Sequence, residues 1–168
     1  MEFSDYVRRQ RPALMRFATI LTSRTWLADD LVSDVLGKAF ERWERISQMA
    51  EPNAYVRRMI VNEYLSWHRR LARTAPREDV ELDTVRVPDG ADERAERDAM
   101  VRRLAQLPRR QRAAVVLRYY VGLSDADIAG CLDCRNGTVR SLISRALASL
   151  RLDPSTATPV APTLQETR

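Results

Sequence analysis

The chain has 168 residues, 45% of them hydrophobic, enough to bury the core of one ordinary domain or two small ones. Five glycines and few alternating apolar–polar runs exclude a β-rich fold, and no apolar run approaches the ~18 residues of a membrane span. The net charge of +5 is unevenly spread: residues 1–73 hold 13 basic and 9 acidic side chains, 74–99 hold 4 and 9, 100–152 hold 10 and 3, and 153–168 hold 1 and 2. Two basic blocks around an acidic one imply two domains on a linker, both suited to a polyanion.

Phe3 to Leu21 reads as a helix, with Val7, Leu14, Phe17, Ala18 and Leu21 at helical spacing. Pro12 inside it marks a kink or a helix start. Thr22 to Thr25 is a break, with Thr25 as the next N-cap. Trp26 to Ile46 reads as one long helix. Leu27, Leu31, Val35, Ala39 and Trp43 recur at i+4, and Ala28, Val32, Leu36 and Phe40 form a second row, so a wide face is expected to be buried. The other face carries Asp29, Asp30, Ser33, Asp34, Lys38, Glu41, Arg42 and Glu44. It is either a solvated face with i,i+4 pairs such as Asp34–Lys38 or a carboxylate row that docks on a basic partner.

Ser47 to Pro52 is a loop and Asn53 the cap of the next helix, Ala54 to about Arg73, whose core stripe is Tyr55, Val56, Met59, Ile60 and Leu65. Tyr64, Trp67 and His68 interleave there with Arg57, Arg58, Arg69, Arg70 and Arg73. Rings that stack on bases among guanidinium groups that hold phosphates suit single-stranded DNA. The alternative is core aromatics with solubilising arginines. Thr74 to Asp92 is a flexible acidic linker ending in the turn Pro88-Asp89-Gly90. Glu93 to Leu107 is helical with Ala99, Met100, Leu104 and Leu107 inward, and Pro108 starts a further helix to Tyr120, closed by Gly122.

Ser124 to Leu150 then reads as two helices and a tight turn. Ser124 caps the first, whose stripe is Ile128, Ala129 and Leu132; the turn is Asp133-Cys134-Arg135-Asn136. The second helix buries Val139, Leu142, Ile143, Ala146, Leu147 and Leu150 and presents Thr138, Arg140, Ser141 and Arg145. This is a helix-turn-helix whose second helix fits the DNA major groove, or else a helical hairpin with a solvated basic face. The fold class expected is all-α: two small helical domains on a flexible linker, the C-terminal one a four-helix domain. The tail from Asp153 is Pro/Thr/Ala-rich and expected to be disordered.

Cys131 and Cys134 form a C-x-x-C, but a zinc site needs four ligands and the single His68 is remote in sequence. Nor does the motif sit at the strand-to-helix junction of a redox pair. No nucleophile-and-base set or phosphate-cradling glycine loop is present, so no enzyme, cofactor or metal is expected. Only Lys38 of the 28 basic residues is lysine, a skew that GC-rich codon usage explains. The N-terminus has no signal-peptide pattern, and a soluble, cytoplasmic protein is expected.

LPRRQRAAVVLRYYVGLSDADIAGCLDCRNGTVRSLISRAL resembles region four of the extracytoplasmic-function sigma factors of bacterial RNA polymerase. ADDLVSDVLGKAFERW is similar to the core-binding helix of their region two, and PNAYVRRMIVNEYLSWHRR to their promoter-melting helix. The resemblance spans about residues 5–151. It implies region two at 1–73, a linker at 74–92, region four at 93–152 and a tail at 153–168. It implies that Asp30, Leu31, Asp34 and Phe40 bind the β′ clamp of core polymerase. Asn53, Tyr55, Asn62, Trp67, Arg69 and Arg70 would then serve the minus-ten element, with the loop Ile46–Asn53 capturing a flipped base. Arg135, Thr138, Arg140, Ser141 and Arg145 would serve the minus-35 element. Implied partners are core polymerase (β′ clamp and β subunit), promoter DNA and an anti-sigma protein. The chain departs from the family pattern at Ser33 (usually Gln), Tyr55 (Trp), Trp67 (near Asp), Asp133 (Gly) and Arg135 (Ser). Two other readings stand beside this one: an autonomous helix-turn-helix regulator, and a thiol or metal sensor.

Overall fold

The structure, a computed structural model, describes the backbone of residues 1–74 and 91–150 and the side chains of 1–66 and 98–150. Among the described residues every regular element is helical. The expected linker, the tail and the side chains of Trp67, His68, Arg69 and Arg70 lie outside the described residues. The chain divides into two compact units between Ala105 and Gln106.

In the first unit α1 (Phe3–Thr22), α2 (Thr25–Phe40) and α4 (Pro52–Thr74) pack on one another, with the short α3 (Trp43–Ser47) between α2 and α4. Leu14, Phe17 and Leu21 of α1 meet a core made with Ala28, Val32 and Val35 of α2 and Val56, Ile60 and Tyr64 of α4, all essentially inaccessible. Burial of each large apolar side chain stabilises by roughly 1.5–3 kcal/mol, and the helices hold because their apolar faces meet there. The same unit includes α5 (Ala91–Ala105).

Several expectations are corrected here. Pro12 does not start α1, which begins at Phe3; it lies exposed inside the helix. Tyr6, unremarked in the sequence, is buried at 1% exposure while Val7 is half-buried. Thr25 is inside α2 rather than capping it, and Thr22 instead links its hydroxyl to the Arg24 backbone N–H (3.2 Å) and carbonyl (2.9 Å). The helix read as Trp26–Ile46 is two. α2 ends at Phe40, Arg42 takes a non-helical φ of −120°, and Trp43 begins α3. Trp43 then reaches the α1 N-terminus, donating Nε1–H to the Met1 carbonyl at 2.9 Å and packing on Tyr6 at 4.5 Å between ring centroids. Phe40, placed in a buried row, is 63% exposed. Asn53 sits in the first turn of α4, after Pro52, so it is not the cap; its Oδ1 is buried with no partner among the described residues. In α4 Tyr55, Met59 and Leu65 are only half-buried, and Val61 and Tyr64 supply the core instead.

In the second unit α6 (Arg109–Val115) runs into a π-helical turn, Val116–Tyr120, whose Val121 N–H bonds the Val116 carbonyl at 3.2 Å. Gly122 follows at φ +80°, a conformation that disfavours any Cβ. Then come α7 (Asp125–Leu132) and α8 (Asn136–Leu150). Ala113, Ala114 and Leu117 pack with Ile128, Leu132, Val139, Ala146 and Leu147 as the core. Leu107 is buried as expected, and Leu142 is only half-buried; on α5 of the first unit Leu104 is buried as expected, but Ala99 is half-buried and Met100 exposed.

Candidate functional site

The helix-turn-helix is built by local chemistry. Ser124 and Asp127 form a reciprocal box at the start of α7. The Asp127 N–H donates to Ser124 Oγ (3.2 Å), the Ser124 N–H to Asp127 Oδ2 (3.3 Å), and Ser124 Oγ–H to the same carboxylate (2.5 Å). Arg118 of the π turn pairs with Asp125, and both partners are about two-thirds buried. At the other end Asp133 takes φ +48°, and its N–H and that of Cys134 both bond the Ala129 carbonyl. This closes the helix with a left-handed residue that aspartate tolerates better than most. Arg110 of α6 donates Nη2–H to the Leu132 carbonyl at 2.8 Å, satisfying another terminal acceptor.

Arg135 then holds the cap position of α8. Its carbonyl accepts from the Thr138 (2.9 Å) and Val139 (3.2 Å) N–H groups, while its guanidinium stays exposed. All five residues assigned from the sequence to duplex reading, Arg135, Thr138, Arg140, Ser141 and Arg145, are exposed. Thr138, Ser141 and Arg145 follow i, i+3, i+7 and form one strip; Arg140 flanks it. The Ser141 hydroxyl donates to the Gly137 carbonyl at 3.0 Å, which leaves its lone pairs outward. Val139 and Ala146, fully buried, fix the strip's rotation. Cys131 is buried and Cys134 half-buried, and no disulfide joins them.

The α4 surface of the first unit gathers only part of the expected set. Tyr55 is half-buried and Asn62 exposed. With Arg58 and Ser66 they fall at i, i+3, i+7 and i+11, one strip along the helix. Arg58 and Ser66 belong to this strip by the same 3.6-residue period that identified the helix. Tyr64, read as part of the base-stacking row, is 1% exposed and lies in the core, so it cannot stack on a base from this surface.

On α2, Asp30, Asp34 and Phe40 are exposed, but Leu31 is only 4% exposed. Leu31 lines a groove of about 250 Å³ between α2 and α4. Leu27, Leu31 and Tyr64 form its floor, and Asp30, Asp34 and Glu63 stand on its rim. Leu31 thus supports the surface from beneath. Glu63 was not singled out in the sequence; Lys38 pairs with it across the two helices (Nζ–Oε2 2.5 Å), and Asp29 pairs with Arg11 of α1 at 2.9 Å, so among the described residues Asp30 and Asp34 are the α2 carboxylates without an ion pair. Phe40 is steadied by the Phe3 ring at 5.1 Å. Acid rim, apolar floor and exposed aromatic together suit a basic, partly apolar partner surface.

The families described as Sigma-70 region 2 and Sigma-70, region 4 match residues 6–74 and 97–150. The chain is 35% identical to the RNA polymerase sigma-E factor of Streptomyces coelicolor over 90% of its own length and 85% of that protein's. It is 34% identical to the ECF RNA polymerase sigma factor SigM of Mycobacterium tuberculosis over 88% of its length and 74% of that protein's. The chain belongs to the extracytoplasmic-function sigma factors. Its fold matches the sigma factor RpoE of Bartonella quintana, solved with the anti-sigma factor NepR, at TM-score 0.68 and 28% identity over 89% of this chain and 94% of that one. As a sigma factor it directs RNA polymerase to promoters. No helix among the described residues is long and apolar enough to cross a membrane.

Proposed function

We propose that this sigma factor works as a non-catalytic initiation subunit with three contact surfaces. α2, through Asp30, Asp34 and Phe40 with Leu31 beneath, docks on the β′ clamp of core polymerase. Asn53, Tyr55, Asn62, Trp67, Arg69 and Arg70 meet the minus-ten element and hold its separated strand. Arg135, Thr138, Arg140, Ser141 and Arg145 read the minus-35 duplex, Arg by bidentate contacts to guanine edges or phosphate. Region two occupies 1–73 and region four 93–152. Each DNA surface is small, so each binds weakly alone; a shared polymerase makes the second contact intramolecular and raises its effective concentration. Captured bases offset the few kcal/mol of unstacking per base.

The observation that carries this reading is that one chain matches both sigma regions in order, and that its exposed arginine and carboxylate faces fall in separate segments of those matches. The sigma factor acts in the cytoplasm, and a separate anti-sigma protein restrains it, as the complex of the Bartonella quintana relative suggests. Run-off transcription with purified core polymerase on promoter fragments tests the whole. Specific transcripts that depend on the chain, and that vanish with Asp34→Arg, are expected. Equally tight and selective promoter binding without polymerase would instead support the autonomous regulator.

A further inference from the structure

Gly37 lies inside α2 and is exposed. Its φ is not positive, and a Cβ built on it would meet nothing within 4 Å. Neither backbone conformation nor packing among the described residues therefore calls for glycine. Glycine in a helix nevertheless disfavours the helical state by about fivefold relative to alanine. A reason outside the chain would be close approach of another backbone, for which a missing side chain is the simplest device.

The surroundings say what approaches. At 100° per residue, Trp26, Asp30, Ser33 and Phe40 share the face of Gly37. Trp26 is 46% exposed and, with Phe40, brackets the face; fourteen residues at 1.5 Å rise put the two about 21 Å apart. Asp30 and Asp34 make no ion pair among the described residues. Large exposed aromatics at the ends, carboxylates between and a glycine notch fit a basic helix laid across α2, since the distance between two helix axes is set by the side chains at the crossing.

We propose that Gly37 sets the closest approach between α2 and a basic helix of core polymerase, with Trp26 as a second anchor opposite Phe40. This rests on the docking reading above and adds two residues that determine its specificity. The test is the affinity of the full chain for core polymerase, measured for Gly37→Ala, Gly37→Leu, Trp26→Ala and Asp34→Arg, with thermal unfolding of each.

Gly37→Ala should unfold at the same or a higher temperature yet bind about threefold or more weakly, a combination that a purely structural glycine would not give. Gly37→Leu should lose about thirtyfold or more, and Trp26→Ala about tenfold. If Gly37→Ala and Gly37→Leu bind as the parent does while Asp34→Arg abolishes binding, the notch is wrong and the docking reading stands. If Asp34→Arg also binds normally, the docking reading itself is wrong. Should the Gly37 variants change only self-association, the face belongs to a second copy and the proposal is overturned.

Discussion

Replacing Ser124 by alanine isolates one local device in the DNA-reading unit. It removes the acceptor of the Asp127 N–H and the hydroxyl that donates to the Asp127 carboxylate, and leaves only the longer Ser124 N–H contact to that carboxylate at 3.3 Å. Loss of a serine cap costs about 1 kcal/mol, and half of a capping box goes with it, so α7 should lose about 1–1.5 kcal/mol. If α7 opens as part of the unit it packs in, amide exchange across α7 and α8 should quicken roughly 5- to 13-fold. Glycine at 124 should cost only a few tenths of a kcal/mol, because the cap position itself tolerates it. Native-state hydrogen exchange on the full chain measures both. Unchanged exchange in Ser124→Ala, or an equal loss in Ser124→Gly, would refute the idea that this box holds the first helix of the motif.

Burial pushes the Tyr6 phenol up to about 12, partly offset by the nearby Arg57 charge. Below pH 10 both folded and unfolded chains keep that proton. Between about 10 and 12 only the unfolded chain releases it, so stability should fall as pH rises, by at most ~1.4 kcal/mol per pH unit. Tyr6→Phe should flatten that segment of the pH–stability curve. It should cost little at neutral pH, because the hydroxyl has no partner among the described residues. Arg110→Ala strips the Leu132 carbonyl of its donor and should cost the second unit about 1 kcal/mol, read from the urea midpoint at constant slope. A change in slope instead would mean that the variant alters the compactness of the unfolded chain.

Much of the second unit was legible because its rules are local. Ser124 as cap, and the buried positions Val139, Ile143, Ala146 and Leu147, follow from caps and period, and the turn was placed at Asp133. The first unit was legible in its periods but not in its exceptions. Nothing between Phe40 and Trp43 is a helix breaker, so the division of the long helix depends on Trp43 finding Tyr6 and the Met1 carbonyl, a contact 42 residues away in the chain. Lys38 had two carboxylates within reach, one on its own helix and one on α4; only tertiary packing chose Glu63. Periodicity placed Phe40 inside because it counts apolar residues, not the helices available to cover them. Tyr64 went the other way, since an aromatic among arginines reads alike whether it faces a base or a core.

Lys38 is the chain's single lysine, and its half-exposed ammonium stands beside the acidic groove. Amine-directed reagents therefore meet only one side-chain target in 168 residues. A cross-linker seated there radiates from one known point, so each peptide of a captured protein joined to Lys38 reports its reach from that side of α2. A fluorophore attached the same way would sense occupancy of the groove without an engineered handle.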